Sequence, residues 1–269
     1  AGDRSAALRQ YRACGAVLER ELGVAPLVTT TARYEAIRDG DATSPVATRA
    51  PAEPIGDGPV ADLPLVGRDG ALATILAAHE TIRGSEGAIV AVIGEAGIGK
   101  SRLLRQFKQD VGGVPHTWIE GESSPYEQDT PFAPTIDLIE NAFEWTAEAT
   151  AEKKIADLEN SFSLVGIDTT KSVPLVASLL GIAVPPGKYP PLLLSPEQQR
   201  VMLLQSLVDW VIGSSRAQPT ILVVEDLHFS DPSTLEEFVM LGEQVEHAPV
   251  MLLFTARTRF IPPWPTRPF

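Results

Sequence analysis

One stretch limits what this chain can fold into more than any other. "GEAGIGKS", residues 94–101, lies between the apolar run "AIVAVI" and the helix-like "RLLRQF". The spacing G-x-x-x-x-G-K-S requires a strand that delivers a glycine-rich turn to the start of a helix. Gly94 and Gly99 let that turn curl, so that backbone N–H groups point inward as an anion-binding nest. A helix from about Ser101 adds the positive end of its dipole. Lys100 then reaches the β- and γ-phosphates of a nucleotide as a point charge, and the Ser101 hydroxyl ligates Mg²⁺. Glu95, Ala96, Gly97, Ile98 and Arg102 complete the loop and the helix start around the phosphates.

The surrounding patterns supply the rest of such a fold. "AIVAVI" (88–93) reads as a buried parallel strand, apolar throughout. "HTWIEG" (116–121), "TILVVED" (220–226) and "APVMLLFTAR" (248–257) read as three more strands. An amphipathic helix ending near Arg83 precedes the first strand, and residues 132–216 read mostly as helices. Ser195 with Gln198 makes a capping box, and Pro196 takes the first helical position. A further helix is capped at Asp231 or Ser230. The order predicts a three-layer α/β domain around a mostly parallel sheet.

In open sheets of this kind ligands bind beyond the carboxyl ends of the strands. There "ILVVED" places Glu225 and Asp226, candidates for holding a metal and for activating water; carboxylates merely solvating a strand end are the plain alternative. Phosphate-loop ATPases usually carry Asp and then Glu at this strand end, and here the order is reversed. Displacing a carboxylate by about an ångström costs on the order of a hundredfold in rate. The site is therefore expected to bind nucleotide well and to turn it over slowly. His228 is either a packing residue or one that orients water and relays the γ-phosphate state. Thr255 and Arg257 face the same crevice, where Arg257 either senses the γ-phosphate or caps the strand.

Composition removes other classes. The 269 residues carry a formal net charge of −13, with no basic run of five or more, which argues against a nucleic-acid surface on this piece. No apolar stretch approaches the roughly eighteen residues of a membrane span. The single cysteine, Cys14, forms no intrachain disulfide, which fits a reducing cytoplasm. No His/Cys cluster suggests a metal site.

The N-terminal part is organised differently. "DRSAALRQYRACGAVLEREL" and "TTTARYEAIRDG" read as two helices of a hairpin over residues 1–40, too small to fold alone. It resembles the last unit of a helical repeat. Residues 41–61, rich in Pro, Ala, Gly and Thr, have the composition of a mobile linker.

Taken together, "LVGRDGALATI", "GEAGIGKSRLL", "ILVVEDLHFSDPSTLE" and "MLLFTARTR" resemble the signal-transduction ATPases with numerous domains (the STAND class), AAA+-like phosphate-loop NTPases attached to bacterial transcriptional regulators. This likeness covers about residues 62–269. It implies ATP or ADP with Mg²⁺ as ligands, places Val66, Gly67 and Arg68 near the adenine and ribose, and makes Arg257 a sensor arginine. "EDLHFSDPS" departs from the family's "DLHWADPS" at Phe229 and Ser230. "AALRQYRACGAVLERELGVAP…TTARYEAIRDG" resembles the end of the tetratricopeptide-like bacterial transcriptional activator domain of the Streptomyces antibiotic regulatory protein type. The resemblance implies a DNA-binding domain before residue 1 and lid and winged-helix domains after Phe269.

The expected function is a cytoplasmic switch with catalysis by Lys100, Glu225, Asp226 and Arg257 weak, and with metal held by Ser101, Glu225 and Asp226. The switch would control self-association and, through domains outside this chain, contact with RNA polymerase and promoter DNA. A working ATPase and a scaffold with a permanent structural nucleotide are the rival readings.

Overall fold

Strand β3 (Thr220–Glu225) buries Ile221 and Val223 on one side and Leu222 and Val224 on the other. A strand apolar on both faces demands cover on both. The computed structural model describes residues 67–126, 130–146 and 148–264. The expected hairpin at 1–40, the linker at 41–61 and Val66 lie outside these residues.

The elements follow in the order α1 (Asp69–Arg83), β1 (Ala88–Ile93), α2 (Lys100–Val111), β2 (Thr117–Glu122), α3 (Ala133–Ala142), α4 (Ala151–Leu164), α5 (Thr169–Leu179) and α6 (Pro196–Ser215). After β3 come a 3₁₀ turn (Leu227–Phe229), α7 (Pro232–Val245) and β4 (Val250–Ala256). The strands are all parallel and lie in the order β1-β4-β3-β2. Parallel neighbours cannot be joined by tight turns, so every connection crosses a face of the sheet, and helices cover both.

Alternation along the strands assigns each face its partners. Ile75 and Ile82 of α1, with Leu103, Leu104 and Phe107 of α2, pack on Val90, Ile221, Val223, Met251 and Leu253. On the other face Leu138 of α3, Val208 of α6 and Phe238 and Leu241 of α7 pack on Leu222, Val224, Leu252 and Phe254. A third core joins α4 and α5 to α6 through Ile155, Leu158, Phe162, Val173, Val176 and Leu207. Phe143 is sandwiched there between Trp145 at 4.7 Å and Trp210 at 5.3 Å.

The capping box at Ser195–Gln198 is present with Pro196 at the first position of α6, and α7 is capped by Asp231 rather than Ser230. One expectation needs correction. β1 was read as wholly buried, but among the described residues it pairs with β4 alone, so its burial is interrupted and Ile93 is 44% exposed. An edge strand has one flank open, and an apolar run does not reveal which strand takes the edge.

Gly87 shows how closely the layers approach. A Cβ built on it would lie 1.9 Å from the Val245 carbonyl oxygen and 2.3 Å from Val245 Cγ1, at the end of α7. The backbone oxygen cannot swing away as a flexible side chain would. Gly87→Ala is therefore expected to destabilise the domain by about 3 kcal/mol, read as a lower urea midpoint at unchanged slope.

Candidate nucleotide site

The loop between β1 and α2 takes the shape its glycines allow. Gly97 and Gly99 have φ of 73° and 94°, in the left-handed region where a side chain is strained. A Cβ on Gly94 would approach Ile98 Cγ2 to 3.0 Å. Gly99 caps α2 without any side-chain hydrogen bond, so the first N–H groups of the helix have no capping side chain and remain suited to an anion. That helix begins at Lys100, one residue before the expected Ser101.

Three contacts hold the loop from outside, and Lys100 braces it from within. The Gly94 N–H donates to the Ala256 carbonyl at the end of β4, 3.1 Å. Thr258 Oγ1 donates to Glu95 Oε1 at 2.7 Å, and Arg68 Nη2 donates to the Ile98 carbonyl at 3.0 Å. Lys100 Nζ spans the loop, donating to the carbonyls of Gly94 at 3.1 Å and Glu95 at 3.2 Å. These are neutral acceptors for a full positive charge, and phosphate oxygens are stronger ones. Ala96 is exposed at the loop tip. Gly67 has φ 70°, and Arg102 is half-buried in the first turn of α2.

The two halves of the site meet through Ser101, whose Oγ donates to Glu225 Oε2. Burial pushes the Glu225 carboxyl above its ordinary value; the Ser101 hydrogen bond opposes this, and the charges of Glu122, Asp226 and Glu120 add to it. Glu122 stands opposite Glu225 in the β2–β3 register. A hydroxyl and a crowded carboxylate are the oxygen donors a hard divalent cation takes, with its remaining positions left for phosphate and water. Among the described residues no group of three or more His, Cys, Asp or Glu could hold a metal ion by itself. The residues therefore fit Mg²⁺ brought with a nucleotide.

Asp226 follows in the left-handed region at φ 53°, unusual for a residue with a side chain. Its N–H donates to Thr255 Oγ1 at 2.9 Å. Thr255 is thus not on the crevice, as the sequence suggested; it is 1% exposed and serves to hold the Asp226 backbone. Arg257 is exposed beyond β4, with its guanidinium 5.3 Å from the centre of the Phe229 ring. His228 lies against the same ring, with centroids 3.9 Å apart. Burial, together with the charges of Arg257 and Lys100, lowers the His228 pKa against the opposing pull of Asp226.

Residues 64–253 match the AAA ATPase domain. The chain belongs to this family. The AAA ATPase domain implies nucleotide binding. Residues 1–38 match the bacterial transcriptional activator domain. An activator domain followed by an AAA ATPase domain is the arrangement of the Streptomyces antibiotic regulatory protein type of regulator. A curated relative, an uncharacterized protein of Rhizobium meliloti, is 26% identical over 204 residues, covering 75% of this chain. The match spans only 19% of that relative's length. Among the described residues of the AAA ATPase domain, no helix is long and apolar enough to cross a membrane.

Sequence reasoning missed Glu122, Thr258 and the role of Asp231. Asp231 Oδ1 accepts the Ser233 N–H at 2.8 Å while its Oδ2 accepts the Phe132 N–H at 3.0 Å, tying α7 to the start of α3. Ser123 and Ser230 share a hydrogen bond of 2.7 Å that closes the ends of β2 and β3 together. The "SDPS" stretch signalled the cap, but nothing in the sequence signalled the partner 99 residues away.

Proposed function

We propose that this chain is the nucleotide-controlled switch of a cytoplasmic bacterial transcriptional activator, with ATP and ADP as its two ligands and slow hydrolysis as its reset. The observation that carries the reading is the Ser101–Glu225 hydrogen bond, which joins the phosphate loop to the acidic strand end. The activator domain match at residues 1–38 supplies the transcriptional context.

Lys100 would exchange the carbonyls of Gly94 and Glu95 for the β- and γ-phosphates, and the loop and first-turn N–H groups would take the remaining phosphate oxygens. Arg68, fixed on the loop, would lie beside the nucleoside. Ser101 and Glu225 would hold Mg²⁺, which when bound neutralises charge between the phosphates, with Asp226 on the side of the attacking water. Asp226 is one methylene shorter than the glutamate usual in that role, and its backbone is fixed by Thr255. That combination favours retention of ATP over rapid turnover. Arg257 would report the γ-phosphate.

A switch needs only unequal affinity for two states. Moving a population from 1:99 to 99:1 takes about 5.5 kcal/mol of differential binding. In the whole protein ATP would favour the self-associating form, and RNA polymerase and promoter DNA would be engaged through domains outside this chain. The test is titration of fluorescent ATP and ADP with phosphate release followed in parallel. Tight binding of both with release far below one per second supports the switch. Release at or above that rate would make the domain a working ATPase, and copurifying nucleotide that never exchanges would make it a scaffold.

A further inference from the structure

His228 is the least satisfied polar group near the site. Both ring nitrogens are shielded from solvent, and among the described residues neither has a hydrogen-bond partner. Such groups are rare in folded proteins because burial removes water without replacing it. Its side chain is 11% exposed, and Nδ1 stands 3.8 Å from Asp226 Oδ1. That distance is about an ångström beyond a hydrogen bond. The carboxylate is the freer of the two, with its side chain 39% exposed and its backbone held at φ 53°.

The neighbours favour closure of this gap when an anion arrives. Lys100, Arg257 and Asp226 are the charged groups that act on the ring. Lys100 is held by loop carbonyls and Arg257 lies over Phe229, so both are placed to turn to phosphate oxygens. Once they do, both cations are engaged by the anion, and Asp226 remains as the charged neighbour facing the ring. Phe229, its ring tilted 39° to that of His228 with centroids 3.9 Å apart, restricts the imidazole, so the adjustment falls to Asp226.

We propose that His228 is a positioning residue for Asp226: a nucleoside polyphosphate in the loop closes an Nδ1–H···Oδ1 hydrogen bond that fixes the aspartate toward the attacking water. This rests on the phosphate-site reading above and deepens it. The ring donates from Nδ1, and the carboxylate oxygen accepts. Fixing one carboxylate oxygen leaves the other to accept from water. Such indirect support is worth about ten- to a hundredfold in comparable sites.

The test uses histidine-labelled protein and imidazole ¹⁵N–¹H correlation spectra, with the His228 signal assigned by its loss in His228→Gln. Mg²⁺ with ADP or with a non-hydrolysable ATP analogue is titrated into wild type, Asp226→Ala and Asp226→Asn, with binding measured on the same samples. The expected result is a downfield, exchange-protected Nδ1–H on binding of the ATP analogue. It should be absent in Asp226→Ala and kept in Asp226→Asn, whose amide oxygen still accepts. In parallel His228→Ala should slow phosphate release about tenfold with affinity changed less than twofold, and His228→Asn should restore much of it. Nucleotide binding that leaves the His228 signal unchanged, or changes it equally in Asp226→Ala, overturns the proposal and leaves the nucleotide site standing. Failure of any nucleotide to bind removes the site reading itself, and the proposal with it.

Discussion

Lys100→Ala is expected to weaken ATP binding by about a hundredfold or more. A charged hydrogen bond contributes about 1.5–3 kcal/mol, and Nζ would make one to each of two phosphate groups, so about two decades are the lower end. The unliganded fold should scarcely notice. Nζ bonds only two carbonyls of its own loop, those of Gly94 and Glu95, and one of those contacts is exposed. The rest of the loop is held by Arg68, Thr258 and Ala256, which the substitution leaves alone. A fluorescent-nucleotide titration beside a thermal melt separates the two effects. Full affinity in Lys100→Ala would show that the loop does not grip phosphate through this residue. Lys100→Arg should not rescue binding, because a planar fork does not fit where a compact ammonium lies between two carbonyls.

The second large effect concerns stability. Glu237, on α7, is 6% exposed, and its Oε2 accepts the Thr135 hydroxyl at 2.5 Å. It borders a cavity of about 30 Å³ whose walls, Thr135 apart, are otherwise apolar, among them Leu138, Leu207 and Leu241. Burial raises its pKa from 4.5 to about 7, with the Thr135 hydrogen bond opposing and the Asp231 charge adding. The folded protein therefore holds this proton more tightly than the unfolded chain does. Its stabilising contribution is complete below about pH 4.5 and is lost as pH rises through 7. Glu237→Gln cannot ionise and keeps an acceptor for Thr135. The variant should match wild type near pH 4 and exceed it by about 3 kcal/mol at pH 8, the difference growing by up to about 1.4 kcal/mol per pH unit between roughly pH 4.5 and 7 and levelling off above that. Urea unfolding at both pH values checks this. Equal gains at both would mean that burial leaves the carboxyl's pKa where it is in the unfolded chain.

These two residues also mark the limits of reading the sequence. Lys100 was legible because its surroundings are local: strand, turn and helix are contiguous, and the glycines that shape the loop lie within six residues of it. The acidic strand end was legible for a similar reason, since a run of apolar residues ending in two carboxylates has few places to go in a parallel sheet. Glu237 was not. On α7 it looks like one more acid on a solvated face, and only the packing of α3 and α6 against that helix buries it. Glu122 was hidden by register, because its opposition to Glu225 depends on β2 lying beside β3. Thr255 was misread because strand alternation fixes which side a residue takes, but not whether a hydroxyl is taken up by the neighbouring backbone. The edge position of β1 follows from strand order, which apolar runs do not encode.

The pairing of β1 with β4 has a consequence for how the domain is born. Eight consecutive residues carry the nucleotide motif, yet its shape depends on the far end of the chain: Gly94 hangs on Ala256 and Glu95 on Thr258. On a ribosome adding roughly 5–20 residues each second, the motif emerges long before those anchors exist. The intervening helices must first carry the chain across the sheet and back. Nucleotide capture by the growing polypeptide should therefore begin only after β4 has left the exit tunnel, so that arrested nascent chains shorter than this remain blind to ATP.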